Sequence, residues 1–182
     1  MVRVLIIIFL SLIINNSIAS DRKDIIRYFE KINNFSFKFE QNTNGKLENG
    51  SCVVQYPKKI YCKYNLKNNK ILVSNGRYLV IKTNTNHYIY PLKKTALNLI
   101  LDKTFLLDKI KTSAKRNVDN KFINYTFSEN DNEINIFFDK NNYKLVGWQT
   151  TDLYQNMNIT FISSIIENIE IKKNLFKLPI QN

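Results

Sequence analysis

The chain is 182 residues long, with 27 Lys and Arg, 15 Asp and Glu and a formal net charge of +12. That length suits one domain rather than two; hydrophobic residues at 44% and only 4 Gly and 3 Pro exclude general disorder and low-complexity linkers. The positive charge is spread as single lysines or pairs such as Lys58-Lys59, Lys93-Lys94 and Lys172-Lys173. Without a dense basic run it reads as a solvated surface, with attraction to anionic membranes next and no nucleic-acid partner.

The opening MVRVLIIIFLSLIINNSIAS places Arg3 before an apolar run from Val4 to Ile14, followed by Ser17 and Ala19. This is the layout of a secretory signal peptide, residues 1–19, cleaved after Ala19. A transmembrane anchor is the alternative, but about 11 apolar residues fall short of the roughly 20 that span a bilayer. The mature chain, residues 20–182, is expected to be a single domain in the periplasm, with no cysteine near the cut to take a lipid.

Asp21–Ile32, DRKDIIRYFEKI, predicts an amphipathic helix in which Asp21 can cap the start and Ile25, Phe29 and Ile32 share one stripe. The period then changes to two. Alternating runs at Asn34–Gln41, Leu47–Tyr56, Ile60–Tyr64, Lys70–Ser74, Arg77–Thr83 and His87–Tyr90 predict strands in an antiparallel meander. In the first of them Phe35, Phe37 and Phe39 point to one face. Ser74-Asn-Gly-Arg77 predicts a hairpin in which both central residues take positive φ. Cys52 and Cys62 flank a turn at Pro57. A register centred on Pro57 would set them opposite each other as a disulfide, which export permits; a shift of one residue would leave two free thiols. Both alternatives stay open on the sequence.

Pro91 ends this series. Thr95–Asp102 and Thr104–Ile110 predict two short helices, with Leu97, Ile100 and Leu101 at helical spacing. Strands resume at Lys121–Ser128, Glu133–Asp139, Tyr143–Thr151 and Asn156–Ser164. The sum is a mainly β chain with some α, about ten or eleven antiparallel strands and about three helices. So long a sheet is expected to curl into an incomplete barrel covered by the helices as a lid. Three short helices cannot fill it, which leaves an apolar cavity. The side chains expected on its wall are Phe35, Phe37, Phe39, Ile60, Tyr64, Trp148 and Phe161 from strands, and Leu97, Ile100 and Leu101 from the lid.

Enzyme chemistry is thinly represented. The one histidine, His87, sits in a strand with no partner suggested by sequence. No Cys-X-X-Cys or paired-His spacing points to a metal, and no Gly-rich phosphate loop or Ser elbow occurs. Glu129 to Glu133 reads as a polar turn. The expectation is a binding protein without metal or cofactor; a secreted hydrolase is the enzyme alternative.

In their order and spacing, Phe39-Glu-Gln41, Gly50…Tyr56-Pro57-Lys-Lys-Ile60, Lys70-Ile-Leu-Val-Ser-Asn-Gly-Arg-Tyr-Leu-Val80, Thr95-Ala-Leu97 and Leu175-Phe-Lys-Leu-Pro179 resemble the LolA family of lipoprotein carriers. The resemblance covers nearly the whole mature chain. It implies an incomplete barrel of about eleven strands closed by helical lids, and a monomer whose cavity takes lipoprotein acyl chains. The load would come from an inner-membrane lipoprotein-releasing ABC transporter and pass to an outer-membrane receptor or membrane surface, without covalent chemistry. Many members carry an Arg directly before the hairpin Pro, where it bonds to the lid. Here that position is Tyr56, and Tyr61 stands at another place where relatives carry Arg. Tyr56 is therefore the candidate lid latch, able to donate one hydrogen bond but no charge. A periplasmic sensor or scaffold of the same fold, binding lipid or peptide without shuttling it, is the alternative.

Overall fold

The computed structural model describes residues 21–129, 132–151 and 156–181. Residues 1–19, expected from the sequence to be a signal peptide, lie outside the described residues.

Helix α1 covers residues 21–30. Six strands follow: β1 (Asn34–Thr43), β2 (Lys46–Gln55), β3 (Lys59–Tyr64), β4 (Ile71–Asn75), β5 (Tyr78–Lys82) and β6 (His87–Pro91). A 3-10 turn (Leu92–Lys94) leads into α2 (Leu97–Ile100) and α3 (Lys103–Thr112). The second series is β7 (Lys115–Val118), β8 (Phe122–Glu129), β9 (Asn132–Asp139), β10 (Leu145–Thr151) and β11 (Met157–Glu167).

All eleven strands form one sheet in the order β6-β5-β4-β3-β2-β1-β11-β10-β9-β8-β7. Every pairing is antiparallel, and only β1 with β11 joins strands distant in sequence. The barrel is open, with β6 and β7 as its edges, and the segment linking those edges carries α2 and α3. Inward residues from both halves, such as Leu72 and Leu79 of one and Ile123 and Ile134 of the other, belong to a single core cluster. That is the behaviour of a curled sheet that buries its concave face.

The β2–β3 hairpin settles the cysteine question. Gln55 pairs with Lys59, so the register is centred on Pro57 and Cys52 stands opposite Cys62. The two are joined as a disulfide. At Ser74–Arg77 the expected backbone differs: Gly76 has φ +98°, whereas Asn75 does not take positive φ. The Asn75 side chain instead accepts from the backbone N–H of Arg77 and Tyr78, 2.9 and 3.0 Å away, and holds the turn that way. Asp21 also departs from expectation. It sits inside the helix, and its carboxylate takes the Lys115 ammonium at 2.6 Å and the Tyr143 hydroxyl at 3.1 Å. The first middle helix is shorter than read from sequence, a single turn at Leu97–Ile100, and the second is longer, Lys103–Thr112. Asp102 is the N-cap of α3, accepting from the Phe105 N–H at 3.1 Å.

Candidate functional site

The concave face is filled unevenly. On the β8–β9 side, Ile25 and Phe29 of α1 and Leu106 and Ile110 of α3 join Tyr125, Ile136 and Phe138, all with no exposed surface. Phe29 meets Phe138 edge-on at 6.2 Å, and Phe105 of α3 meets Phe127 at 5.7 Å. This half is close-packed core. Among the described residues, the single turn of α2 and the 3-10 turn before it cover the other half. A cavity of about 630 Å³ lies there, within the ~300–1,000 Å³ usual for ligand sites. Its apolar floor is made by Phe37, Phe39, Ile60, Leu72, Leu79 and Trp148, with the Cys52–Cys62 bridge in the wall and Leu97 of α2 above.

The phenylalanine stripe divides between these environments. Phe35 stacks on Phe37 at 5.3 Å and leans on Tyr56 at 6.0 Å, so it is core behind the cavity. Phe37 stands edge-on to Trp148 at 6.1 Å, and Phe39 edge-on to Tyr64 at 5.0 Å. Those four rings reach the cavity. The Phe39 ring lies across Gly50, where an added Cβ would come within 2.9 Å of it. Ile60 and Leu97 line the cavity, whereas Ile100 and Leu101 are buried in core beneath the α2 turn.

Phe161 belongs to the outer face. It is 49% exposed and stacks on Phe137 at 6.1 Å, the two rings meeting across Gly147, which pairs with both residues. The inward residues of β11 are Thr160 and Ile162. Apolar character alone misplaces Phe161, because this sheet carries an aromatic pair outside and a threonine inside.

One end of the cavity is polar. Glu48, with only 6% of its side chain exposed, receives the Lys70 ammonium on Oε2 at 2.6 Å, and the Lys46 ammonium lies 3.0 Å from Oε1. Lys70 also lies over the Tyr64 ring, 4.0 Å from its centre. Burial opposes the charge on Glu48, but the two ammonium groups outweigh it and hold the carboxyl below its ordinary range. Burial raises the Tyr64 hydroxyl, with Glu48 adding to it. That hydroxyl donates to Gln41 Oε1 at 3.3 Å, and Gln41 Nε2 donates to Asn158 at 3.0 Å and Thr160 at 3.3 Å. Apart from Tyr64, these residues escaped the sequence reading. A signal was present: counting by twos from Cys52 puts Gly50, Glu48 and Lys46 on the same inward face.

The hairpin does reach the lid, but through a different residue. Tyr56 packs its ring on Phe29 of α1 at 5.8 Å and on Phe35. Burial, with Tyr28 nearby, pushes its hydroxyl well above the usual range. No hydrogen bond joins it to α2 or α3 among the described residues. Lys58, on the other side of Pro57, does make the connection: its backbone N–H donates to the Leu101 carbonyl at 2.8 Å, and its ammonium pairs with Asp102 at 3.3 Å. Lys103 fastens the far side, donating to the Glu30 and Ile32 carbonyls at 3.1 and 3.0 Å and so closing the end of α1.

His87 contacts the Pro179 carbonyl through Nε2 at 2.9 Å, which ties the C-terminal tail to edge strand β6. Among the described residues no group of three His, Cys, Asp or Glu side chains is placed to hold a metal, and no helix is long and apolar enough to cross a membrane.

Residues 30–179 match the family model described as outer membrane lipoprotein carrier protein LolA. No curated protein matches the sequence. Solved structures of similar fold include the LolA superfamily protein NE2245 of Nitrosomonas europaea, at 7% identity, 88% of this chain, 97% of that one and a TM-score of 0.47. The lipoprotein LppX of Mycobacterium tuberculosis is similar at 10% identity, 86% and 99% coverage and a TM-score of 0.46. The MucA/MucB complex of Pseudomonas aeruginosa is similar at 9% identity, 88% and 61% coverage and a TM-score of 0.50. At such identities the likeness concerns the fold.

Proposed function

This chain belongs to the family of the outer membrane lipoprotein carrier protein LolA, and we propose that it is a periplasmic carrier of lipoprotein acyl chains. The observation that carries the reading is the cavity: an aromatic and aliphatic floor under a one-turn lid, in the half of the barrel that α1 and α3 leave unfilled. Each methylene moved from water onto that floor contributes roughly 0.8 kcal/mol, so eight methylenes of one chain supply about 6 kcal/mol before the cost of immobilising it. The empty carrier keeps Leu97 over the cavity; cargo lifts it, and closing favours release. The donor is an inner-membrane lipoprotein-releasing ABC transporter, and the acceptor is an outer-membrane receptor or membrane surface. Binding and displacement suffice, with no bond made or broken and no cofactor.

The test is a transfer assay. Inner-membrane vesicles holding the transporter and a radiolabelled lipoprotein are incubated with ATP and the mature chain. The expected result is labelled lipoprotein in the soluble fraction, bound one to one, and its later transfer to outer-membrane vesicles. Lipoprotein that stays in the donor vesicles in the presence of folded chain overturns the reading.

A further inference from the structure

We propose that the polar end of the cavity recognises the head of a zwitterionic glycerophospholipid, with the phosphate drawing Lys46 away and a donor N–H of the ligand taking its place on the buried Oε1 of Glu48. The inference rests on the reading of the cavity as an acyl-chain site and adds a ligand class to it.

Three observations carry it. First, the cluster has one cation more than it needs: two lysines face one carboxylate, and Lys70 alone already meets Glu48 at 2.6 Å. Lys46 is 72% exposed and borders the cavity, so its ammonium can take an anionic oxygen without leaving a buried charge unpaired. Second, Glu48 Oε1 is buried, and among the described residues its contact is the ion pair with the exposed Lys46 ammonium at 3.0 Å, with no further donor on it. A buried carboxylate oxygen in that state favours a ligand that brings a donor. Third, the cluster adjoins the apolar floor. Lys70 lies over Tyr64, Tyr64 meets Phe39, and the wall continues to Phe37 and Trp148. An occupant spanning both ends has acyl chains on the rings and a charged head 3 Å or so from Lys46 and Glu48.

That chemistry discriminates among lipids. Diacylglycerol has a hydroxyl donor but no phosphate. Phosphatidylcholine has the phosphate, but its quaternary ammonium has no N–H. Phosphatidylethanolamine has both. The last two are each net neutral, so general attraction to a protein of charge +12 does not separate them.

The experiment measures binding of the three lipids with identical chains, one carrying a fluorescent label at its end, to the mature protein and to Lys46→Gln and Glu48→Gln. The expected order is phosphatidylethanolamine, then phosphatidylcholine, then diacylglycerol, with about tenfold between the first and last, the scale of a charge-assisted hydrogen bond. Lys46→Gln, at an exposed position, brings phosphatidylcholine down to the diacylglycerol level and lowers phosphatidylethanolamine by the same factor, leaving the latter only the advantage of its N–H on Glu48. Glu48→Gln brings phosphatidylethanolamine down to the phosphatidylcholine level. Equal binding of all three lipids to the unaltered protein overturns the head site and leaves the acyl-chain reading standing. A preference for phosphatidylcholine over diacylglycerol that survives Lys46→Gln also overturns it. Failure to bind any of the three overturns both.

Discussion

If Lys58 and Asp102 latch the lid, breaking their pair opens it by a calculable amount. The two charges stand 3.3 Å apart, with 34% and 30% of their side chains exposed. A pair so placed is worth roughly 0.5–1 kcal/mol once solvent screening is counted. Asp102→Asn isolates that term, because asparagine keeps the cap on the Phe105 N–H, whereas Asp102→Ala loses about 1 kcal/mol more by removing the cap. Lys58→Gln removes the cation but keeps the backbone bond to Leu101. Each of Lys58→Gln and Asp102→Asn should therefore raise the open population about two- to five-fold, and the double variant should do no more than either alone. Hydrogen exchange across Leu97–Thr112, under conditions where opening pre-equilibrates, reads that factor. The rate of acyl-probe uptake should rise in parallel. Single variants whose effects multiply in the double, or that leave exchange in this segment unchanged, would refute the latch.

Other consequences separate the inner wall from the outer face. Phe37→Glu should abolish binding of an acyl probe measured by fluorescence, while Phe161→Glu, on the convex side, should leave it unchanged. Glu48 titrates below its ordinary range in the folded chain, so its ionisation stabilises fully above the unfolded value of about 4.3 and that contribution is lost as pH falls through the lowered native value. Melting curves from pH 7 to 3 should show the protein losing this stabilisation relative to Glu48→Gln only at the acid end; a constant difference would remove Glu48 from the acid transition. The Cys52–Cys62 bridge closes a loop of sequence separation 10, for which chain entropy gives about 2.5 kcal/mol. Cys52→Ser/Cys62→Ser should lower the urea midpoint accordingly, and the intact mass of the oxidised protein should rise by two hydrogens on reduction.

The strands were legible because their residues alternate. Phe35, Phe37 and Phe39, or Ile134, Ile136 and Phe138, announce a buried face whatever lies against it. Strand β7 was not legible: Lys115-Arg-Asn-Val118 has no apolar alternation, and only its pairing with β8 makes it a strand. Phe161 shows the limit of equating apolar with inward, since the alternation of β11 turns Thr160 and Ile162 in and leaves Phe161 to stack on Phe137 outside. The division of the cavity wall was invisible for a different reason. Whether Phe35 or Phe39 faces empty space depends on where α1 and α3 settle, and α2 proved a single turn. The bonds to the α2–α3 segment come from Lys58 rather than Tyr56 because the hairpin turns its residue before Pro57 toward α1 and its residue after it toward Leu101 and Asp102.

The central claim is that acyl chains lie on the floor formed by Phe37, Phe39 and Trp148. A lipoprotein bearing a photoreactive diazirine near the end of its acyl chain, loaded and irradiated, tests it directly by peptide mass spectrometry. The account predicts adducts on the β1 segment around Phe37 and Phe39 and on the β10 segment around Trp148. Adducts confined to the outer pair Phe137 and Phe161, or a loaded protein labelled only by chance across its surface, would contradict it.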